Sequence, residues 1–254
     1  MQSLPPVEGD CAFFFDFDGT LAEIASRPDA VRVDLGVPAA LEALSRRNRG
    51  AVAVISGRPI AEIDRHLSPA ILPAAGVHGV EHRDASGRMS RMPLPDLRAA
   101  AAIVRAWCAE HPGARLEDKP GALALHYRGA DALEAACLTT MGEARAVVPA
   151  VPMVLLHGKK VIELKPAAAD KGLAVRVFMA EFPFAGRRPW FFGDDVTDES
   201  AFREVQSMGG VAVKIGLGDT VAANRLPDPQ DMRDWLLAQG PLAPAVLGAS
   251  EVVG

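Results

Sequence analysis

Apolar runs alternate with amphipathic stretches along the chain, and the first run, CAFFFDFDG at 11–19, ends abruptly in acidic residues and glycine. A short run with no polar alternation predicts a strand buried on both faces of a parallel sheet, with Asp16 at its carboxyl tip. A helix is expected around Pro38 to Asn48, with Leu41 and Leu44 on one face, and AVAVISGR at 51–58 then repeats the passage from apolar strand into polar turn. IAEIDRHL predicts the next helix and ILPAAGVHG at 71–79 a third, shorter strand, after which the regular alternation stops.

From Glu81 to Lys165 the pattern becomes hairpin-like pieces separated by two helices. EHRDASGRMSRM has turn chemistry at Asp84 to Gly87, LEDKPGALALHYR at Pro120-Gly121, and MVLLHGKKVIELKP at Gly158. Between them, LPDLRAAAAIVRAWCAEH and ADALEAACLTTMGEARAVV carry apolar residues at helical spacing. The order β-β-α-β-β-α-β-β predicts an antiparallel sheet with two helices, inserted as a unit. After Lys165 the first pattern resumes: DKGLAVRVFMAEF and ESAFREVQSM are expected helices, RPWFFGDDVTDE and GGVAVKIG strands, and PDPQDMRDWLLAQG a closing helix before a loosely held tail from Pro241. The expected fold class is α/β: a Rossmann-like parallel-sheet core from residues 1–84 and 165–254, with an α/β unit inserted over 85–164.

Composition narrows the function classes. With 254 residues, 49% of them hydrophobic, the chain can bury a substantial core. A net charge of -5 argues against a phosphate-backbone partner, so no nucleic acid is expected. Cys11, Cys108 and Cys137 are odd in number and lack metal-ligand or disulfide spacing, which suits reduced core thiols. The N-terminal MQSLPPVEGD has no basic segment leading into a long apolar run, and the apolar stretches elsewhere are too short to cross a bilayer, so the expectation is a cytoplasmic protein with no membrane association; a monomer is expected as well.

In a parallel α/β sheet, ligands gather outside the carboxyl ends of the strands. Three such ends carry unusual polar residues here: Asp16 and Asp18, Ser56, and Asp194, Asp195 and Asp198. Carboxylates converging in a partly desolvated cleft repel one another, which a divalent cation would offset, and an all-oxygen set suits magnesium. Lys171 and Ser56 can supply the counter-charge and hydrogen bonds that a phosphate needs. Together these parts fit phosphoryl transfer, with Asp16 the better nucleophile at the strand end and Asp18, two residues on, better placed for acid/base duty. Plainer roles stand beside these. Ser56 could cap the helix near Pro59, Lys171 could be a surface lysine, Asp195 and Glu199 could favour a helix N-terminus without any metal, and His78 and His126 could be satisfied strand histidines. Trp107, Trp190 and Trp235 read as core.

DFDGTL at 16–21, Ser56 in ISGR, Lys171 in DKG and GDDVTDE at 193–199 resemble, in order, the four motifs of the haloacid dehalogenase-like phosphatases. The resemblance implies Asp16 as nucleophile, Asp18 as general acid/base, magnesium held by the Asp16 side chain, the Asp18 backbone carbonyl and Asp194, and Asp198 acting through a metal-bound water or Lys171. Asp195 is expected to support the metal site indirectly. GVHGVEHR, LEDKPGALALHYR and GKKVIELKP further resemble the trehalose-6-phosphate phosphatases, in which an inserted cap closes over the active site. The resemblance implies trehalose 6-phosphate as substrate and a sugar pocket lined by Glu117, Lys119, Arg128, Lys159 and Glu163; Gly57 and Arg58 are also expected to bind substrate. The rivals are another capped phosphosugar phosphatase, acting on sucrose 6-phosphate or a glucosyl phosphoglycerate, and a silent phosphosugar sensor. A nucleotide-binding oxidoreductase is disfavoured because the first strand leads into DFDGTL rather than GxGxxG.

Overall fold

The computed structural model describes residues 4–24, 31–148 and 151–239, and the tail expected from Pro241 lies outside them. The main sheet has eight strands. Its central strand β1 (Cys11–Phe15) is CAFFF, buried at every position because helices cover both faces. Phe13 and Phe15 point to one face, and Phe14 points to the other.

On one side of β1 lie β2 (Val52–Ile55) and β3 (Ala74–Gly76), both parallel. On its other side lie β10 (Arg188–Gly193), β11 (Val211–Ile215) and β12 (Asn224–Leu226), also parallel. The first face is covered by α1 (Gly36–Arg47), α2 (Ile60–Leu67) and α7 (Pro229–Ala238) through Leu41, Leu44, Ile63, Leu67, Met232 and Leu236. The second face takes Phe178 of α5 (Lys171–Met179) and Phe202 of α6 (Glu199–Ser207). The chain builds outward from β1 through β2 and β3, then returns to place β10 on the opposite edge of β1. That reversal opens a crevice beyond the carboxyl ends of β1 and β10.

The hairpin of β4 (Glu81–Arg83) and β5 (Met89–Arg91) corrects one expectation. It does not join the inserted antiparallel sheet but extends the main one, β4 pairing antiparallel with β3. A period-2 pattern specifies a hairpin without specifying its neighbour, and the nearest open edge in the chain was that of β3. The second sheet therefore holds four antiparallel strands in the order β6-β7-β9-β8, from β6 (Arg115–Lys119), β7 (Ala122–His126), β8 (Met153–Gly158) and β9 (Val161–Pro166). The β6–β7 turn is Pro120-Gly121, with Gly121 at φ 75, and the β8–β9 turn is Lys159-Lys160. Its two helices, α3 (Arg98–Glu110) and α4 (Glu134–Ala146), pack Val104, Cys137 and Met141 on Leu123, Leu125, Ile162 and Leu164. The strand β12 had no apolar signature: NRL is half-buried at the sheet's edge. Among the described residues, no helix is long and apolar enough to cross a membrane.

Candidate active site

Asp16 follows β1 directly, and its N–H donates to Phe192 O of β10 at 2.9 Å, so the sheet itself fixes where the carboxylate starts. Asp194 follows β10 in the same way. The carboxylates of Asp16, Asp194 and Asp198 bring one oxygen each within 4.8 Å of the others. All three are buried.

Two ammonium groups offset this charge. Lys171, the first residue of α5, sits with Nζ 2.7 Å from Asp16 Oδ1 and 2.7 Å from Asp198 Oδ1. Lys159, at the tip of the β8–β9 hairpin, reaches down to place Nζ 2.5 Å from Asp194 Oδ2. Negative charge still dominates. Burial, then the neighbouring Asp198, push the Asp16 carboxyl well above its ordinary range against the pull of Lys171. Burial likewise pushes Asp194 up to about 6, although Lys159 opposes it.

This excess of clustered acid is what fits a divalent cation, and the oxygen-only donors suit magnesium. Asp198 is otherwise engaged: Oδ1 accepts from Lys171, and Oδ2 accepts from the N–H groups of Asp194 and Asp195, each at 2.9 Å. It braces the loop and the lysine, leaving Asp16 and Asp194 facing the site. Asp195 caps the short turn Val196–Asp198 by accepting from Val196 N. Gly19, at φ +80, is required here because a Cβ would lie 2.2 Å from Asp194 Oδ2.

Asp18 borders the same cavity, with its carboxylate clamped. Arg58 donates to both of its oxygens, Nε to Oδ2 at 2.7 Å and Nη2 to Oδ1 at 2.8 Å, and also to Glu62 at 3.0 Å. The guanidinium, expected to bind substrate, is thus directed at the acid/base candidate and lies over the Phe17 ring. Ser56 follows β2, and its hydroxyl accepts from Arg58 N. It does not cap α2, whose N-terminal flank is Pro59 with no side-chain cap.

The second sheet forms the opposite wall. Lys119 Nζ donates to Gly57 O at 3.1 Å and lies 3.5 Å from Glu163 Oε1, while Glu117 pairs with His126 at 2.6 Å. Glu163 also meets His78 of the core, Nε2 to Oε2 at 3.0 Å. Burial would raise the Glu163 carboxyl, but Lys119 and His78 outweigh it and hold it well below its ordinary value. Arg128 donates to Lys159 O, bracing the hairpin tip. Every sequence-predicted site residue except Asp198 borders one cavity of about 530 Å³ between the two sheets.

Two contributors went unread in the sequence. Glu62 steadies Arg58, and Lys214 of β11, buried, donates Nζ to the Asp194 carbonyl. A lone lysine inside VAVKI, in a strand buried throughout, was the available signal for the second.

Residues 14–229 match the trehalose-phosphatase family profile. The chain is 44% identical over 238 residues to the trehalose-6-phosphate phosphatase of Escherichia coli, covering 93% of this chain and 89% of that protein. It is 40% identical to a probable trehalose-phosphate phosphatase of Sinorhizobium fredii, over 89% of this chain and 86% of the other. Among solved structures, the C-terminal domain of Candida albicans trehalose-6-phosphate phosphatase superposes with a TM-score of 0.81 over 92% of each chain at 23% identity, a likeness of fold. A haloacid dehalogenase-like hydrolase from B. subtilis shares that fold more distantly, with a TM-score of 0.62 at 16% identity over 91% of this chain and 99% of that one.

Proposed function

The chain belongs to the trehalose-phosphatase family, and on that footing we propose that it hydrolyses trehalose 6-phosphate to trehalose and phosphate through a phosphoryl group carried on Asp16. The supporting observation is that Asp16 and Glu163 border one cavity from opposite sheets, so that a phosphate and a sugar can be held at once. Magnesium would be held by Asp16, the Asp18 carbonyl and Asp194, and when bound it neutralises charge on the transferring phosphoryl group.

The chain's own residues supply the rest. Asp16 Oδ attacks phosphorus, forming the acyl-phosphate bond as the phosphorus–oxygen bond to the sugar breaks. Asp18 gives a proton to the departing sugar oxygen, then takes one from the water that releases phosphate. Ser56 offers a hydroxyl to the phosphate oxygens, and Lys171 holds Asp16 in place with a charge that favours the incoming dianion. Glu117, Lys119 and Glu163 face the sugar, and a closed second sheet excludes water during transfer. Every residue this reading invokes lies on one chain, so the reading includes a monomer, and a cytoplasmic one.

A phosphate-release assay across trehalose 6-phosphate, sucrose 6-phosphate and glucose 6-phosphate tests the substrate. The expected result is a preference for the first, activity lost in EDTA and restored by added magnesium. Equal rates on all three would remove the substrate assignment, and full activity in EDTA would remove the metal.

The Arg58 clamp carries a second expectation. Arg58→Ala should lower kcat/KM for an alkyl phosphate, whose leaving oxygen needs the Asp18 proton, by about 10-fold or more. For p-nitrophenyl phosphate, whose leaving group needs none, the change should stay under about threefold. A parallel fall for both, with weaker inhibition by inorganic phosphate, would make Arg58 a phosphate ligand instead.

A further inference from the structure

The turn after β3 holds two consecutive residues in the left-handed region, Val77 at φ 49 and His78 at φ 56. A β-branched residue there is a true outlier, and such strain persists only where the surroundings enforce it. What it achieves is the placement of one ring. The His78 N–H donates to Ser56 O at 2.9 Å, and the imidazole lies so close to the phosphate-side loop that a Cβ on Gly57 would fall 2.8 Å from ring atoms. Nε2, one of those ring atoms, meets Glu163 Oε2 at 3.0 Å. Because the ionised carboxylate can only accept, Nε2 carries the proton.

Glu163 is buried, and its second oxygen, Oε1, has no hydrogen-bond donor, Lys119 Nζ standing off at 3.5 Å. A buried carboxylate oxygen without a hydrogen-bond donor is costly, and because Glu163 borders the cavity, a substrate hydroxyl that displaces Lys119 from its side is the natural donor. We propose that His78 is a positioning residue for the sugar. It fixes one oxygen of Glu163 so that the other is presented to a hydroxyl, and the strained turn exists to bring a core residue across to that cap residue. Gly57 is glycine because the ring needs its space.

The inference rests on the reading of the cavity as a phosphosugar site, and the two fail differently. That reading fails if the wild-type protein shows no preference for a sugar phosphate. The proposal is read from ratios of variant to wild type, on whichever sugar phosphate the wild type prefers and on p-nitrophenyl phosphate, which has no sugar. His78→Gly removes the ring and relaxes the left-handed backbone. It should lower kcat/KM for the sugar phosphate between about 10- and 100-fold, the weight of one hydrogen bond to a charged group. It should change that for p-nitrophenyl phosphate by less than about threefold. His78→Gln, which keeps an N–H donor, should recover part of the loss. On a Glu163→Gln background, His78→Gly should add less than about twofold, since both act through one contact. Should His78→Gly melt early, His78→Asn, tolerant of the same backbone region, carries the comparison. A parallel fall on both substrates, no fall on either, or full additivity with Glu163→Gln would each overturn the proposal.

Discussion

Asp16→Asn is expected to abolish turnover, by about 10⁴-fold or more, because an amide oxygen is a poor nucleophile and forms no stable phosphoryl adduct. The fold should survive. Asp16 lies among Asp194 and Asp198, and burial plus their charge already push its carboxyl toward the neutral form. Removing that charge relieves a cluster in which acids outnumber lysines, so the melting temperature without metal should hold or rise by roughly a few degrees. The variant should also stop short of any acid-stable phosphorylated protein when mixed with substrate and quenched. Appreciable turnover by Asp16→Asn, or phosphate found on another residue of the wild-type protein, would end the role given to Asp16.

Lys171→Met should have the largest effect on stability. Burial alone would lower the Lys171 ammonium, yet Asp16 and Asp198 outweigh it and hold the group above its ordinary value. The charge is therefore an integral part of the buried site. Its removal leaves two buried carboxylates facing each other, a loss on the order of 3–5 kcal/mol for breaking a buried pair. In a protein of this size that corresponds to a fall in melting temperature of roughly 10 °C. Turnover should fall by about 10²-fold or more, since Asp16 loses its hydrogen bond and the phosphate loses a nearby cation. Added magnesium should recover part of the stability and little of the rate. A melting temperature within a degree of wild type would show that the ammonium is dispensable to the cluster.

The chemistry was legible where the sequence broke its own pattern. An apolar strand that ends in DFD or GDD, or passes into SGR, announces a functional tip, and Asp16, Ser56 and Asp194 all stand directly after buried strands. The Pro120-Gly121 turn was readable because its residues dictate its backbone. Side-chain direction was not readable. Nothing in DFDGTL says that Asp18 turns toward Arg58, because that contact joins residues 40 positions apart. Sheet membership was hidden for the same reason: EHR and MSR form a hairpin by local pattern, while the strand they join depends on which edge is open. His78 could not be assigned from GVHG alone, since its significance lies in a left-handed backbone and in a partner 85 residues away.

The central position of β1 also bears on how the molecule comes into being. One edge of β1 is met early by β2, but the other is met only by β10, Phe13 lying beside Trp190 and Phe15 beside Phe192. On the ribosome, then, three consecutive phenylalanines emerge long before the strand that completes their enclosure. The second sheet, whose strands pair only among themselves, can assemble in the meantime. The nascent chain must keep β1 from aggregating until β10 has been made, which makes this strand the natural place for misfolding to begin.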